Sequence, residues 1–84
     1  MSTDEIRTTV KRSIATITNI SVEDISDSAS YKDDLQLDSL TILEIAVDAE
    51  YQFQVKIPDE LLSEIRTVDD TVRIVQQHLE LAVA

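Results

Sequence analysis

The chain has 84 residues, one proline, no glycine, no cysteine and a formal net charge of −10. This length allows one domain over residues 1–84. The absence of cysteine excludes disulfides and thiolate metal sites. The absence of glycine disfavours β-hairpins, whose tight turns usually need it. The charge disfavours nucleic acids and anionic membranes as partners, and no apolar run approaches the roughly 20 residues of a membrane span, so we expect a soluble, cytoplasmic, all-α protein.

The first predicted helix runs from about Thr3 to Ile17. Four apolar residues recur along it at helical spacing: Ile6, Val10, Ile14 and Ile17. They form one stripe that we expect to face the core. Ser2 and Glu5 are placed to form a capping box at its start.

The segment from about Thr18 to Leu37 loses this periodicity and is predicted to be an irregular connection. Connections of this length are unusual in compact domains unless they are functional or held by their own apolar residues. We expect five residues to hold this one against the core: Ile20, Val22, Ile25, Tyr31 and Leu35.

The second predicted helix runs from Ser39 to about Phe53, with Asp38 as its N-cap. One apolar stripe has the spacing of a core face: Ile42, Ile45, Ala46, Ala49 and Phe53. A second stripe lies beside Glu44: Leu40, Leu43 and Val47. A helix with one buried face does not need this second stripe, so it predicts either a protein-binding surface or a contact with the long connection.

Two further helices complete the chain. A short third helix is predicted from Pro58 to Ile65, because proline suits the first helical position. The last helix is predicted from about Val68 to Leu81, capped by Thr67, with His78 at its surface or boundary. The sequence thus predicts a small bundle of three main helices and one short helix.

Ser39 decides the functional class, because the sequence offers no other candidate for covalent chemistry. A catalytic serine needs a base and an oxyanion site, but His78 is the sole imidazole and no glycine-built oxyanion loop exists. We therefore expect neither an enzyme nor a metal protein, since acid pairs such as Asp33-Asp34 lack EF-hand spacing. A hydroxyl in the first turn of a helix is suited to carry a phosphodiester.

Several motifs occur around this serine at spacings typical of one family. They are Leu35-Gln36-Leu37-Asp38-Ser39-Leu40, Leu43-Glu44-Ile45, Phe53 and Ile57-Pro58-Asp59-Glu60. Together they resemble the acyl carrier proteins, which are small acidic four-helix domains. The resemblance implies that Ser39 receives 4′-phosphopantetheine from coenzyme A through a phosphopantetheinyl transferase. The arm would then carry acyl groups as thioesters between enzymes of fatty acid, polyketide or related lipid synthesis.

The resemblance also implies residue roles. The surface that docks to partner enzymes would comprise Asp38, Leu40, Leu43, Glu44, Val47 and Glu50. An acyl-chain cavity would be lined by Ala46, Ala49, Phe53, Ile57, Leu62 and Ile65. The partners would be the transferase and acyl-transferring or chain-elongating enzymes with basic surfaces, and the carrier would be a free-standing monomer.

The chain departs from the family pattern at four positions. Gln36 replaces a usual glycine, Thr41 a frequent acid, Asp48 a common apolar residue and Tyr51 a common acid. These changes favour a specialised carrier in polyketide or secondary lipid synthesis. Two alternatives stay open: a carrier of aminoacyl, peptidyl or D-alanyl groups, and an unmodified acidic adaptor that binds basic helices.

Overall fold

The computed structural model describes residues 2–83, with side-chain surroundings through residue 80. These residues form three α-helices, α1 (Thr3–Thr18), α2 (Ser39–Phe53) and α3 (Val68–Val83). Two 3-10 helices, Val22–Asp24 and Asp59–Glu64, lie in the connections between them. The predicted all-α fold with three main helices and one short helix is confirmed, whereas the 3-10 helix at Val22–Asp24 was missed.

Residues 2–83 include no helix that is both long and apolar enough to span a membrane.

The core lies where the apolar faces of the three α-helices meet, with α1 packed against both α2 and α3. The predicted stripe of α1 supplies Ile6, Val10 and Ile14, all at most 2% exposed. Ile45 and Ala46 contribute the inner face of α2. From α3 come Val68, Thr71, Val72, Ile74 and Val75. Each large aliphatic side chain buried in this way contributes roughly 1.5–3 kcal/mol relative to an exposed one.

Capping boxes begin α1 and α3. Ser2 Oγ accepts from the Glu5 backbone N–H at 3.2 Å, and Glu5 Oε1 accepts from Ser2 N–H at 3.2 Å. At α3, Thr67 Oγ1 accepts from the Asp70 backbone N–H at 3.1 Å, and Asp70 Oδ2 accepts from Thr67 N–H at 3.1 Å. Both caps were predicted, and each satisfies backbone donors that a helix start leaves without partners.

The connection from α1 to α2 is held chiefly by Tyr31, whose side chain is fully buried. Its hydroxyl hydrogen-bonds to Thr71 Oγ1 on α3. Ile25 and Ala29 are also buried, while Ile20 and Leu35 are half-buried against the core. Four of the five predicted anchors are therefore confirmed, and Ala29 was missed.

Val22 was wrongly predicted as an anchor, because it is 40% exposed. It begins the 3-10 helix Val22–Asp24, and this turn brings the following Ile25 to the core instead.

Pro58 was also misplaced by one position. Its φ of −58° and ψ of 143° put it just before the 3-10 helix Asp59–Glu64 rather than at the first helical position. Its carbonyl accepts from Leu61 N–H at 2.9 Å and so begins the turn.

Ion pairs hold the connection between α1 and α2 against α1. Asp27 pairs with Lys11 and Arg7, and Arg7 also lies 3.5 Å from Asp69 at the start of α3. The hydrogen bond from Lys11 and the positive charges of both bases lower the pKa of Asp27. Because the Asp27 side chain is exposed, solvent screens these pairs and they add little to stability.

Burial gives the Tyr31 hydroxyl a testable pH signature. It raises the pKa of Tyr31 to about 12, because the phenolate is poorly solvated among apolar groups. Unfolded tyrosine deprotonates near pH ~10, so between about pH 10 and 12 the unfolded state binds fewer protons than the folded state. Relative to Tyr31→Phe, the wild-type free energy of unfolding should fall by about 1.4 kcal/mol per pH unit in this window.

Urea unfolding followed by circular dichroism at a series of pH values measures this difference. Tyr51→Phe removes an exposed phenol and is the matched control, expected to keep the wild-type pH dependence. Equal slopes in wild type and Tyr31→Phe would contradict the buried position of Tyr31.

Candidate functional site

The site is built around the first turn of α2. Asp38 has extended backbone angles, φ −86° and ψ 173°, and its Oδ1 accepts from Thr41 N–H at 2.8 Å. This hydrogen bond lowers the pKa of the Asp38 carboxyl, because it stabilises the charged form. The predicted N-cap is therefore confirmed as a structural feature, and it fixes the point at which the helix begins.

Ser39 is the first residue of α2 and is exposed. Within residues 2–83 its hydroxyl makes no hydrogen bond that would hold it against the protein surface. The backbone N–H groups of a helix's first turn and the positive end of its dipole favour a negative group at this position. Ser39 thus has the access and the electrostatic setting that a phosphodiester requires.

The loop before Ser39 is fixed by backbone contacts. Leu37 N–H donates to the Tyr31 carbonyl at 2.8 Å, and Leu35 N–H donates to the Ser30 carbonyl at 3.0 Å. Because Tyr31 is buried, the bond to its carbonyl holds the loop against the core. The position of Ser39 is therefore set by the packing of the long connection as well as by α2.

Gln36 adopts a left-handed backbone conformation within this loop, with a φ of 56°. Side chains with a Cβ are disfavoured there by roughly 1–2 kcal/mol, whereas glycine is not. This gives a physical reason for the glycine that usually occupies this place in the resembling family. The chain keeps the turn with glutamine and bears the steric cost.

The outer face of α2 carries the second apolar stripe. Leu40, Leu43 and Val47 are 65%, 43% and 54% exposed, and Glu44 beside them is exposed too. The alternative, that this stripe packs on the long connection, does not fit these exposures. Tyr51, at 81% exposed, extends the stripe by one further turn.

Glu50 differs from the other members of the predicted docking surface. It is half-buried, and its Oε2 accepts from the Ile57 backbone N–H at 2.9 Å. The Glu50 carboxylate thus holds the segment that follows α2 through its hydrogen bond with Ile57. Sequence spacing gave no sign of this contact, because it depends on how the chain turns after Gln54.

A pocket of about 360 Å³ opens beside Ser39, between α2 and the 3-10 helix Asp59–Glu64. Its lining consists of Lys32, Ser39, Ile42, Leu43, Leu62, Ser63, Ile65 and Arg66. This volume lies at the lower end of the range for small-molecule sites, roughly 300–1,000 Å³. The pocket thus combines apolar side chains, the Ser39 hydroxyl and two cationic side chains.

The six residues expected to line an acyl-chain cavity are divided by the structure. Leu62 and Ile65 line the pocket beside Ser39. Ala49 and Phe53 line a tight cleft against α1, and Ala46 and Ile57 are buried in the core. Ile42 was assigned to the core, but it is half-buried and lines the pocket. Its position three residues after Ser39 was the signal that sequence reasoning left unused.

His78 lies on α3 with its Nδ1 2.9 Å from the Ile74 carbonyl oxygen, so this nitrogen is engaged within its own helix. Among the described residues, no hydrogen bond joins His78 to Ser39. In the part of the chain that the structure describes, no group of three or more His, Cys, Asp or Glu residues is arranged to hold a metal ion.

Comparison with known proteins identifies the family. Residues 8–75 match the family described as "Phosphopantetheine attachment site". The meromycolate extension acyl carrier protein of Mycobacterium leprae is 42% identical over 88% of this chain and 64% of its own length. The acyl carrier protein of Rhodococcus erythropolis is 38% identical over 88% of this chain and 81% of its own length. The chain belongs to the acyl carrier protein family.

A solved acyl carrier protein, that of Enterococcus faecalis, has the same fold. It superposes with a TM-score of 0.76 at 28% identity, over 93% of this chain and 99% of that one. The predicted family, its carrier class and its 4′-phosphopantetheine cofactor are confirmed by these matches. The chain spans 64% of the length of its Mycobacterium leprae relative.

The left-handed conformation of Gln36 in this acyl carrier protein gives a stability prediction. Gln36→Gly should raise the free energy of unfolding by about 0.5–1 kcal/mol, because relief of the Cβ clash exceeds the added entropy of the unfolded chain. The matched control is Gln77→Gly on the exposed face of α3, which should lower it by about 1 kcal/mol through the poor helix propensity of glycine. Urea midpoints measure both, and destabilisation by both substitutions would argue against the left-handed turn.

Proposed function

We propose that Ser39 carries 4′-phosphopantetheine and that the chain holds acyl groups as thioesters on this arm for delivery to partner enzymes. One observation carries the proposal: an exposed serine hydroxyl on the first turn of α2, at the mouth of an apolar pocket. The match to the phosphopantetheine attachment site over residues 8–75 supports it.

The residues around Ser39 fit this modification. Ser39 Oγ would form a new bond to the pantetheine phosphorus of coenzyme A, adenosine 3′,5′-bisphosphate would leave, and the hydroxyl proton would pass to the transferase. The first-turn N–H groups of α2 then favour the attached phosphodiester. Asp38 keeps its carboxylate on Thr41 N–H, so the helix start stays ordered while the hydroxyl reacts. The arm's terminal thiol supplies the thioester chemistry.

The carried acyl group would be sheltered in the pocket beside Ser39. Ile42, Leu43, Leu62 and Ile65 present apolar surface there. Burial of methylene groups on such a surface is worth about 0.8 kcal/mol each when complete. The deeper predicted positions, Ala46, Ala49, Phe53 and Ile57, would be reached only if the helices separate around a longer chain.

Delivery would use the outer face of α2. The exposed apolar stripe can bury against a partner, while the surrounding carboxylates attract a basic partner surface and speed its approach. The proposed docking residues are Asp38, Leu40, Leu43, Glu44, Val47 and Glu50. Because Glu50 also holds Ile57 N–H, its contribution to docking would be smaller than that of Glu44.

The proposed partners are a phosphopantetheinyl transferase and acyl-transferring or chain-elongating enzymes. The names of relatives such as the meromycolate extension acyl carrier protein favour lipid synthesis as the pathway. We further propose that the chain acts in the cytoplasm as a monomer with one domain over residues 1–84, and without catalysis of its own.

Loading of Ser39 tests the proposal directly. A promiscuous phosphopantetheinyl transferase with coenzyme A and Mg²⁺ should add one phosphopantetheine to the wild type and none to Ser39→Ala, as read by intact mass. Ser63→Ala, which removes a second hydroxyl from the same pocket, is the control and should be loaded like the wild type.

An unchanged wild-type mass would contradict the proposal and favour the unmodified adaptor. After loading, the mass of the cargo released from the native protein distinguishes an acyl carrier from an aminoacyl or D-alanyl carrier.

Charge reversal on α2 tests the docking surface. Glu44→Lys should lower kcat/KM for phosphopantetheinylation by about tenfold, which corresponds to about 1.4 kcal/mol, because it places a cation against a basic partner. Glu80→Lys makes the same charge change on the exposed face of α3 and should leave the rate near that of the wild type. Equal losses in the two variants would mean that only net charge matters.

A further inference from the structure

Two cationic side chains line the pocket that contains Ser39. They are Lys32, from the connection before α2, and Arg66, from the segment before α3. The presence of Lys32 is unexpected from composition, because residues 21–64 hold twelve acidic residues and only two bases, Lys32 and Lys56. One of the two bases of the acidic segment therefore lies at the candidate modification site.

The backbone holds these two cations at the same pocket. Tyr31 N–H donates to the Arg66 carbonyl at 3.0 Å, and Ser30 forms a bridge with Thr67. Lys32 and Arg66 thus lie on two paired segments, and the buried Tyr31 side chain fixes this pair to the core. The fold thus brings Lys32 and Arg66 to the same pocket.

Neither cation forms an ion pair with another residue in the described part of the chain, whereas Arg7, Lys11 and Arg73 all do. Three carboxylates close to these cations along the chain accept hydrogen bonds from backbone N–H groups. Asp34 accepts from Ser30 N–H at 2.7 Å.

Two other carboxylates in this region are occupied in the same way. Asp38 accepts from Thr41 N–H at 2.8 Å, and Asp70 accepts from Arg66 N–H at 3.2 Å and pairs with Arg73. The guanidinium of Arg66 and the ammonium of Lys32 are left without such a partner, so both remain open to an anion that enters the pocket.

Two positive charges at one pocket repel each other. An oxyanion between them is attracted to both, and this attraction offsets the repulsion. From these contacts we infer that Lys32 and Arg66 together bind an oxyanion of the arm attached to Ser39. This inference rests on the proposed function. The oxyanion has two sources of the same chemistry, the phosphodiester of the arm and a carboxylate on the carried acyl group.

The pocket lining is compatible with both sources. Ser39 itself lines the pocket, so its phosphodiester would lie at the mouth. The apolar residues Ile42, Leu62 and Ile65 would contact methylene groups of an acyl chain, and the cations would receive its charged end. In the second case the carrier would favour dicarboxylic half-thioesters over simple alkyl thioesters.

The test compares protein loaded on Ser39 with butyryl-pantetheine and with succinyl-pantetheine, two acyl groups of equal carbon number that differ in the terminal carboxylate. The variant is Lys32→Gln/Arg66→Gln. The matched control is Lys56→Gln/Arg12→Gln, which removes the same charge from exposed residues outside the pocket. The readouts are the ³¹P resonance of the phosphodiester and the ¹³C titration of the succinyl carboxyl group.

If the phosphodiester is bound, the ³¹P resonance of both loaded forms shifts in Lys32→Gln/Arg66→Gln and stays at the wild-type position in the control. If the acyl carboxylate is bound, its pKa in the wild type lies about half a unit or more below that in Lys32→Gln/Arg66→Gln. This corresponds to about a threefold change in proton affinity. The control should titrate like the wild type.

Identical ³¹P positions and carboxyl titrations in wild type and Lys32→Gln/Arg66→Gln would overturn the inference, while successful loading would keep the proposed function intact. Shifts of equal size in the control would overturn it as well, since they would reflect net charge alone. Failure to load Ser39 at all would overturn the proposed function and the inference together.

Discussion

The buried Tyr31 side chain and its hydrogen bond to Thr71 hold the connection between α1 and α2 against α3. Around this contact, the backbone bonds from Tyr31 to Arg66 and from Leu37 to Tyr31 align the chain that leads into α2. A connection of this length has a large conformational entropy when free. The buried tyrosine offsets part of that cost, and the position of Ser39 depends on it.

The two faces of α2 have different chemistry. The inner face, which includes Ile45, Ala46 and Phe53, completes the core, while the outer face leaves Leu40 and Val47 to solvent. Surface apolar groups of this kind add little to folding stability. In the proposed function they serve association, in which neighbouring carboxylates would guide a basic partner and the apolar groups would then become buried.

Within residues 2–83 the chain makes three left-handed turns without glycine, at Asn19, Gln36 and Gln54. Asn19 and Gln54 end α1 and α2, where such a conformation commonly terminates a helix. Gln36 has a different role, since it turns the loop immediately before the helix that presents Ser39. The steric cost at this position is therefore borne next to the candidate site rather than at a helix end.

The sequence by itself determined the three α-helices, the caps at their starts and the exposed stripe of α2, because these features depend on local spacing and on side chains within four residues of one another. It also placed Ser39 at a helix start through Asp38. The tertiary structure alone decided that Val22 turns outward, that Glu50 reaches Ile57, and that Lys32 and Arg66 meet at one pocket. These contacts join residues brought together by chain reversals and by the packing of Tyr31, whose geometry no local pattern specifies.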